Sequence, residues 1–108
     1  MDIETTVMEL IIAAGEAKSL AMQALRAAKQ RQWDQVDTLL AESAAASRSA
    51  HEVQTTLIGL DEGEGKLPVT LILVHAQDHI MTSMLAREMI TEMIELHRAL
   101  QQQTKEPA

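Results

Sequence analysis

The sequence predicts an all-α protein, a subunit of three antiparallel helices carrying more apolar surface than it can cover by itself. Three observations lead there. Apolar residues recur at three-to-four spacing through most of the 108 residues. Phe and Tyr are absent and Trp33 is the single aromatic, so the core must come from Leu, Ile, Met, Val and Ala, which are mostly helix formers. Only one stretch, Gly59-Leu60-Asp61-Glu62-Gly63-Glu64-Gly65-Lys66, has the glycine content of a clear loop.

The first helix is expected from Thr6-Val7-Met8-Glu9, which has capping-box form. Val7, Leu10, Ile11, Ala14, Ala17, Ala21, Leu25 and Ala28 then fall on one stripe. Carrying that phase further would place Arg31, Gln32 and Gln35 on the apolar face, so the helix breaks near residue 31. A second stripe runs through Val36, Leu40, Ser43, Ser47, Ala50, Gln54 and Leu57, whose small side chains allow close approach of a neighbouring helix. The glycine-rich stretch ends it. Leu67-Pro68-Val69-Thr70-Leu71-Ile72-Leu73-Val74 alone reads as a buried strand, but no other segment could pair with it. Pro68 is therefore expected in the first turn of a third helix reaching about Gln102.

That third helix has a seam of Leu71, Val74, Asp78, Met81 and Leu85, in which Asp78 stands where an apolar residue is expected. A buried lone carboxylate is expensive and must be protonated, paired, metal-bound or turned to solvent. Met84, Met89, Met93, Leu96 and Leu100 form a further apolar face. One antiparallel neighbour cannot cover both, and oligomerisation would bury the excess.

The length fits one domain over residues 1–108 with one modest core. Without Cys there are no disulfides, thiolate metal sites or cysteine nucleophiles. No basic segment precedes an apolar h-region and no run of about 18 apolar residues is present, so the expectation is a cytoplasmic protein without membrane insertion. A formal net charge of -7 disfavours nucleic acid and anionic lipid and suits docking of a basic protein.

Chemistry concentrates in Leu73-Val74-His75-Ala76-Gln77-Asp78-His79-Ile80-Met81-Thr82-Ser83. His75 and His79 are four apart and share a helix face. His75 alone reads equally as a boundary histidine or as a nucleophile whose second nitrogen is held by Asp78, Gln77 or a helix carbonyl. A zinc-protease reading fails because Ala76 stands where H-E-x-x-H has its glutamate. Asp78 is either a solvent-facing carboxylate or one of a set gathered by symmetry, where three carboxylates on a three-fold axis would call for a hard cation such as Mg²⁺. His51 could face the same cleft as His75 or be exposed, His97 reads as part of a solvated face, and Gly15 as a mark of close helix packing. The competing function is a non-enzymatic helical adaptor or oligomerisation module.

With those residues in place, the chain resembles the enzyme IIA component of the lactose, cellobiose and N,N'-diacetylchitobiose family of the bacterial phosphoenolpyruvate-dependent sugar phosphotransferase system. The resemblance is strongest over Leu71 to Glu88, and Gly63-Glu64-Gly65-Lys66 and Thr82-Ser83-Met84-Leu85-Ala86-Arg87-Glu88 look closer to the cellobiose and diacetylchitobiose branch. It implies a homotrimer that accepts a phosphoryl group from the phosphocarrier protein HPr and passes it to the cognate IIB component for uptake of β-glucoside or chitobiose-type sugars. His75 matches the phosphorylated histidine, and Asp78 the aspartate that binds a structural divalent metal, Mg²⁺ by expectation, between subunits. Gln77 and His79 match residues supporting the histidine or its phosphoryl group. One departure stands out: Arg31 takes the place of a glycine between the first two helices, with Gln32 in place of a good cap.

Overall fold

The computed structural model describes residues 2–105 and shows three helices, α1 (Ile3–Lys29), α2 (Trp33–Asp61) and α3 (Leu71–Lys105), with no strand among the described residues. They form a rod of 64 × 19 × 19 Å. The chain runs up, down and up, so α1 and α3 are parallel and α2 opposes both. α1 is the spine: it packs closely along both other helices, whose backbones approach each other at few points and which are joined mainly through side chains.

α1 begins one turn earlier than its Thr6-to-Glu9 box suggests. Asp2 is the N-cap, accepting from the Glu4 N–H at 3.2 Å and the Thr5 hydroxyl at 2.6 Å. The Thr5 hydroxyl holds the Asp2 carboxyl below the usual carboxylate range. Thr6 is buried within the helix, its hydroxyl donating to the Asp2 carbonyl at 2.9 Å. The predicted stripe is otherwise the observed one. Val7, Leu10, Ala14 and Ala17 are buried toward one end and Ala21, Leu25 and Ala28 toward the other, with Ile11 partly covered. Burying a leucine as completely as Leu10 contributes about 2 kcal/mol.

The turn from α1 to α2 is a Schellman motif built without glycine. The Gln32 N–H donates to the Ala27 carbonyl at 3.0 Å and the Arg31 N–H to the Ala28 carbonyl at 3.0 Å, with Arg31 left-handed at φ 60°. A Cβ in that region costs about 1 kcal/mol. Arg31→Gly is therefore expected to raise stability by about 1 kcal/mol in urea unfolding; an unchanged or lower midpoint would show that the arginine side chain offsets its own backbone strain. Gln32, the α2 N-cap, makes no side-chain capping bond.

Gly59 does not end α2. It sits inside the helix where a Cβ would meet nothing within 4 Å, and termination comes at Glu62, left-handed at φ 55°. Pro68 likewise lies outside α3 rather than in its first turn. Thr70 caps that helix, its carbonyl accepting from Val74 N–H at 3.0 Å and its hydroxyl from Leu73 N–H at 3.2 Å.

α3 packs on α1 mainly through a third face, distinct from the two apolar faces read from the sequence. Ala76, Ile80, Ser83, Ile90 and Ile94 face α1, whereas the seam through Leu71, Val74, Asp78, Met81 and Leu85 points away from it and is exposed. Met89, Met93, Leu96 and Leu100 are exposed as well, and Met84 is partly covered. The inner face, packed on α1, is narrow; the outer face keeps the larger side chains. At the far end Trp33 donates to Gln101, while Arg98 stacks 4.5 Å above the Trp33 ring and meets Asp37 at 3.3 Å.

Candidate functional site

His75 is the fifth residue of α3, one turn below His79 on the same flank, next to α1. The two rings lie 5.5 Å apart, centroid to centroid, and are tilted by 31°. Their surroundings differ. His75 is exposed, with no side-chain hydrogen bond among the described residues, so neither Asp78 nor Gln77 holds it within the chain. His79 is half-buried, and its Nε2 rests over Gly15 of α1, 3.2 Å from where a Cβ would stand there.

The contact between α1 and α3 is fixed at this level. Ser83, buried one turn above His79, donates to the Ala14 carbonyl at 2.8 Å, pinning the helices beside Gly15. The Thr82 hydroxyl lies within bonding distance of the Asp78 and His79 carbonyls, at 2.9 and 3.2 Å.

Gln77 and Asp78 point elsewhere. Two residues from His75 is about 200° around a helix, so Gln77 reaches the flank facing α2. There its Oε1 accepts from Gln54 Nε2 at 2.7 Å. Asp78 is exposed in the outer seam, between the half-exposed Val74 and Met81. No group of three or more His, Cys, Asp or Glu side chains able to hold a metal occurs among the described residues.

His51 does not share a cleft with His75 within the chain. It lines an open groove of about 400 Å³ between α2 and α3, with Arg48, Glu52, Met84 and Arg87. Ser43, fully buried, donates to the Ala17 carbonyl at 2.6 Å and accepts from Arg87 Nε at 2.9 Å, tying all three helices together. Sequence reasoning assigned no role to Arg87; its signal was Ser43, one of the polar residues on the second stripe. His97 is partly covered and lies beside Lys29 and Arg31 at the far end.

The family model for lactose/cellobiose-specific IIA subunits of the phosphotransferase system matches residues 5–98. The chain belongs to this family. As an enzyme IIA component it is a phosphotransferase, and both the helical fold and the resemblance read from Leu71 to Glu88 agree with that membership. The chain is 56% identical over 99 residues, 92% of its length and 85% of the relative's, to the N,N'-diacetylchitobiose-specific EIIA component of Escherichia coli (strain K12). It is 35% identical over 102 residues to the lichenan-specific enzyme IIA component of Bacillus subtilis (strain 168), covering 94% of this chain and 93% of that one. Among solved structures, the crystal structure of the cellobiose-specific enzyme IIA from Bacillus anthracis superposes with a TM-score of 0.88 at 34% identity, over 94% of this chain and 93% of that one. The IIA(chitobiose) chain solved in solution with HPr, from Escherichia coli, gives a TM-score of 0.81 at 53% identity, over 94% and 98%. No helix of this IIA chain, among the described residues, is long and apolar enough to cross a membrane.

Proposed function

We propose that this IIA chain accepts a phosphoryl group from HPr on His75 and donates it to the cognate IIB component of a cytoplasmic relay feeding uptake of chitobiose-type or related β-linked sugars. One observation carries the choice between the paired histidines: His75 is exposed and makes no side-chain hydrogen bond among the described residues, whereas His79 turns its Nε2 against α1. The HPr-bound relative at 53% identity supports the donor, and the 56% identical chitobiose component supports the sugar class.

The chemistry asks for a neutral imidazole, whose lone pair attacks phosphorus in line as the bond to the donor breaks. Negative charge grows on the three equatorial oxygens and needs donors already in place. His79, 5.5 Å away ring to ring, stands on the correct flank to offer one. Gln77 retains its amide N–H₂ group because its oxygen is the atom engaged by Gln54. It lies on the opposite flank, so its support goes to the phosphoryl group of an adjacent subunit.

That requirement joins the exposed outer seam of α3 in supporting a homotrimer with α3 innermost. Three Asp78 carboxylates then meet near the axis, a set of oxygen ligands that fits a hard divalent cation such as Mg²⁺. No single subunit offers such a set among its described residues, so the ion would be structural and shared. It would neutralise the repulsion of the carboxylates.

Incubation with phosphoenolpyruvate, enzyme I and HPr followed by intact-mass measurement tests the relay. One acid-labile phosphate per chain is expected. A folded chain that gains none from active donors would overturn the assignment.

A further inference from the structure

We infer that Gly15 is a positioning residue for phosphoryl transfer: its missing side chain is the seat that holds the His79 ring at the correct distance from His75. The inference rests on the proposed role of His75 and adds a residue on a different helix to the site.

Glycine is the poorer choice for the middle of α1, where alanine occupies most neighbouring inward positions. Gly15 is one of two glycines that lie inside a helix here, and the contrast between them is informative. A Cβ on Gly59 would meet nothing within 4 Å. A Cβ on Gly15 would stand 3.2 Å from His79 Nε2, closer than ordinary contact, so the ring would have to shift by a few tenths of an ångström.

The helices cannot easily part to relieve that contact. The Ser83 hydroxyl is bonded to the Ala14 carbonyl at 2.8 Å, on the residue before Gly15, and Leu10, Ala14, Ala76 and Ile80 are packed in the same core cluster. The imidazole is the movable part, and His75 lies 5.5 Å from it. A residue with any side chain at position 15 therefore displaces a group placed to meet the transferring phosphoryl oxygens. A misplacement of about 1 Å can lower a rate by about a hundredfold, so a shift of a few tenths of an ångström is expected to lower it several-fold.

The test compares phosphoryl transfer from phospho-HPr to the full chain for the parent, Gly15→Ala, Gly59→Ala, His79→Asn and Gly15→Ala/His79→Asn. Gly15→Ala is expected to lower kcat several-fold with KM for phospho-HPr unchanged, while its helicity and Tm equal or exceed the parent's. Gly59→Ala is expected to match the parent. The double variant should be no slower than His79→Asn alone, because the shorter side chain leaves room for the new methyl group.

Transfer by Gly15→Ala at the parent rate would overturn the inference and leave the relay standing. So would a double variant whose losses simply add, or a Gly15→Ala chain that loses helicity, since either would mean general packing rather than placement of the ring. A parent that takes no phosphate would overturn the proposed function together with this refinement of it.

Discussion

Exchanging His75 for glutamine is expected to abolish the acid-labile phosphate completely, with fold and assembly retained. Glutamine is similar in size and polarity, but its amide nitrogen has no lone pair free to attack phosphorus. The outcome is all or none because the phosphoryl group is carried covalently and no partial contact can replace the bond. The three other histidines are poor substitutes. His79 faces Gly15, His51 lines the groove on the α2 side, and His97 is about 33 Å along α3 from His75. Intact-mass analysis of His75→Gln after incubation with active donors checks this. A full phosphate on that variant would remove His75 from its role.

The second large effect concerns assembly, where two substitutions in one seam are expected to act in opposite directions. Leu85 is 60% exposed in the single subunit and lies in line with Asp78 on the outer face of α3. In the proposed trimer, Leu85→Asp buries three new unpaired carboxylates. Desolvation of each costs several kcal/mol, enough to give monomers at micromolar concentration. Asp78→Leu removes three such charges and completes the apolar seam, so it is expected to keep the trimer and free it from any dependence on divalent metal. Sedimentation equilibrium with and without chelator reads both. Monomeric Asp78→Leu under conditions where the parent is trimeric would show that Asp78 does not lie near the axis.

Sequence periodicity identified the faces of α1 and α2 because each has one stripe and only one way to bury it. It did not choose an inward face for α3, where apolar residues occupy most of the circumference. There the packing of α1 chose the narrow face of Ala76, Ile80 and Ser83 and left the bulkier seam outside. Helix ends were less legible than faces. Thr6 and Asp2 both offer capping oxygens, and the earlier one governs because Thr6 is needed in the interior. Gly59 and Pro68 carry strong local signals, yet helical hydrogen bonding continues through the first and the Thr70 hydroxyl caps α3 beyond the second.

Within the site, the spacing of His75 and His79 was enough to put them on one flank. The separation of Gln77 from them follows from the same arithmetic, but its Gln54 partner required the tertiary structure. The pairing of Gly15 with His79 joins residues 64 positions apart, and a mid-helix glycine was its only trace in the sequence.

α3 contains neither glycine nor proline and runs unbroken from Leu71 to Lys105. Sharp bends in helices arise at such residues or at interruptions of the backbone ladder, and α3 has no such break. His75 and Asp78 are thus fixed points on a single shaft, about 4.5 Å apart along its axis. The proposed nucleophile sits on a backbone with no hinge of its own, which does not swing between donor and acceptor. In the proposed relay the travelling is left to the partner proteins, which dock in turn on a stationary target.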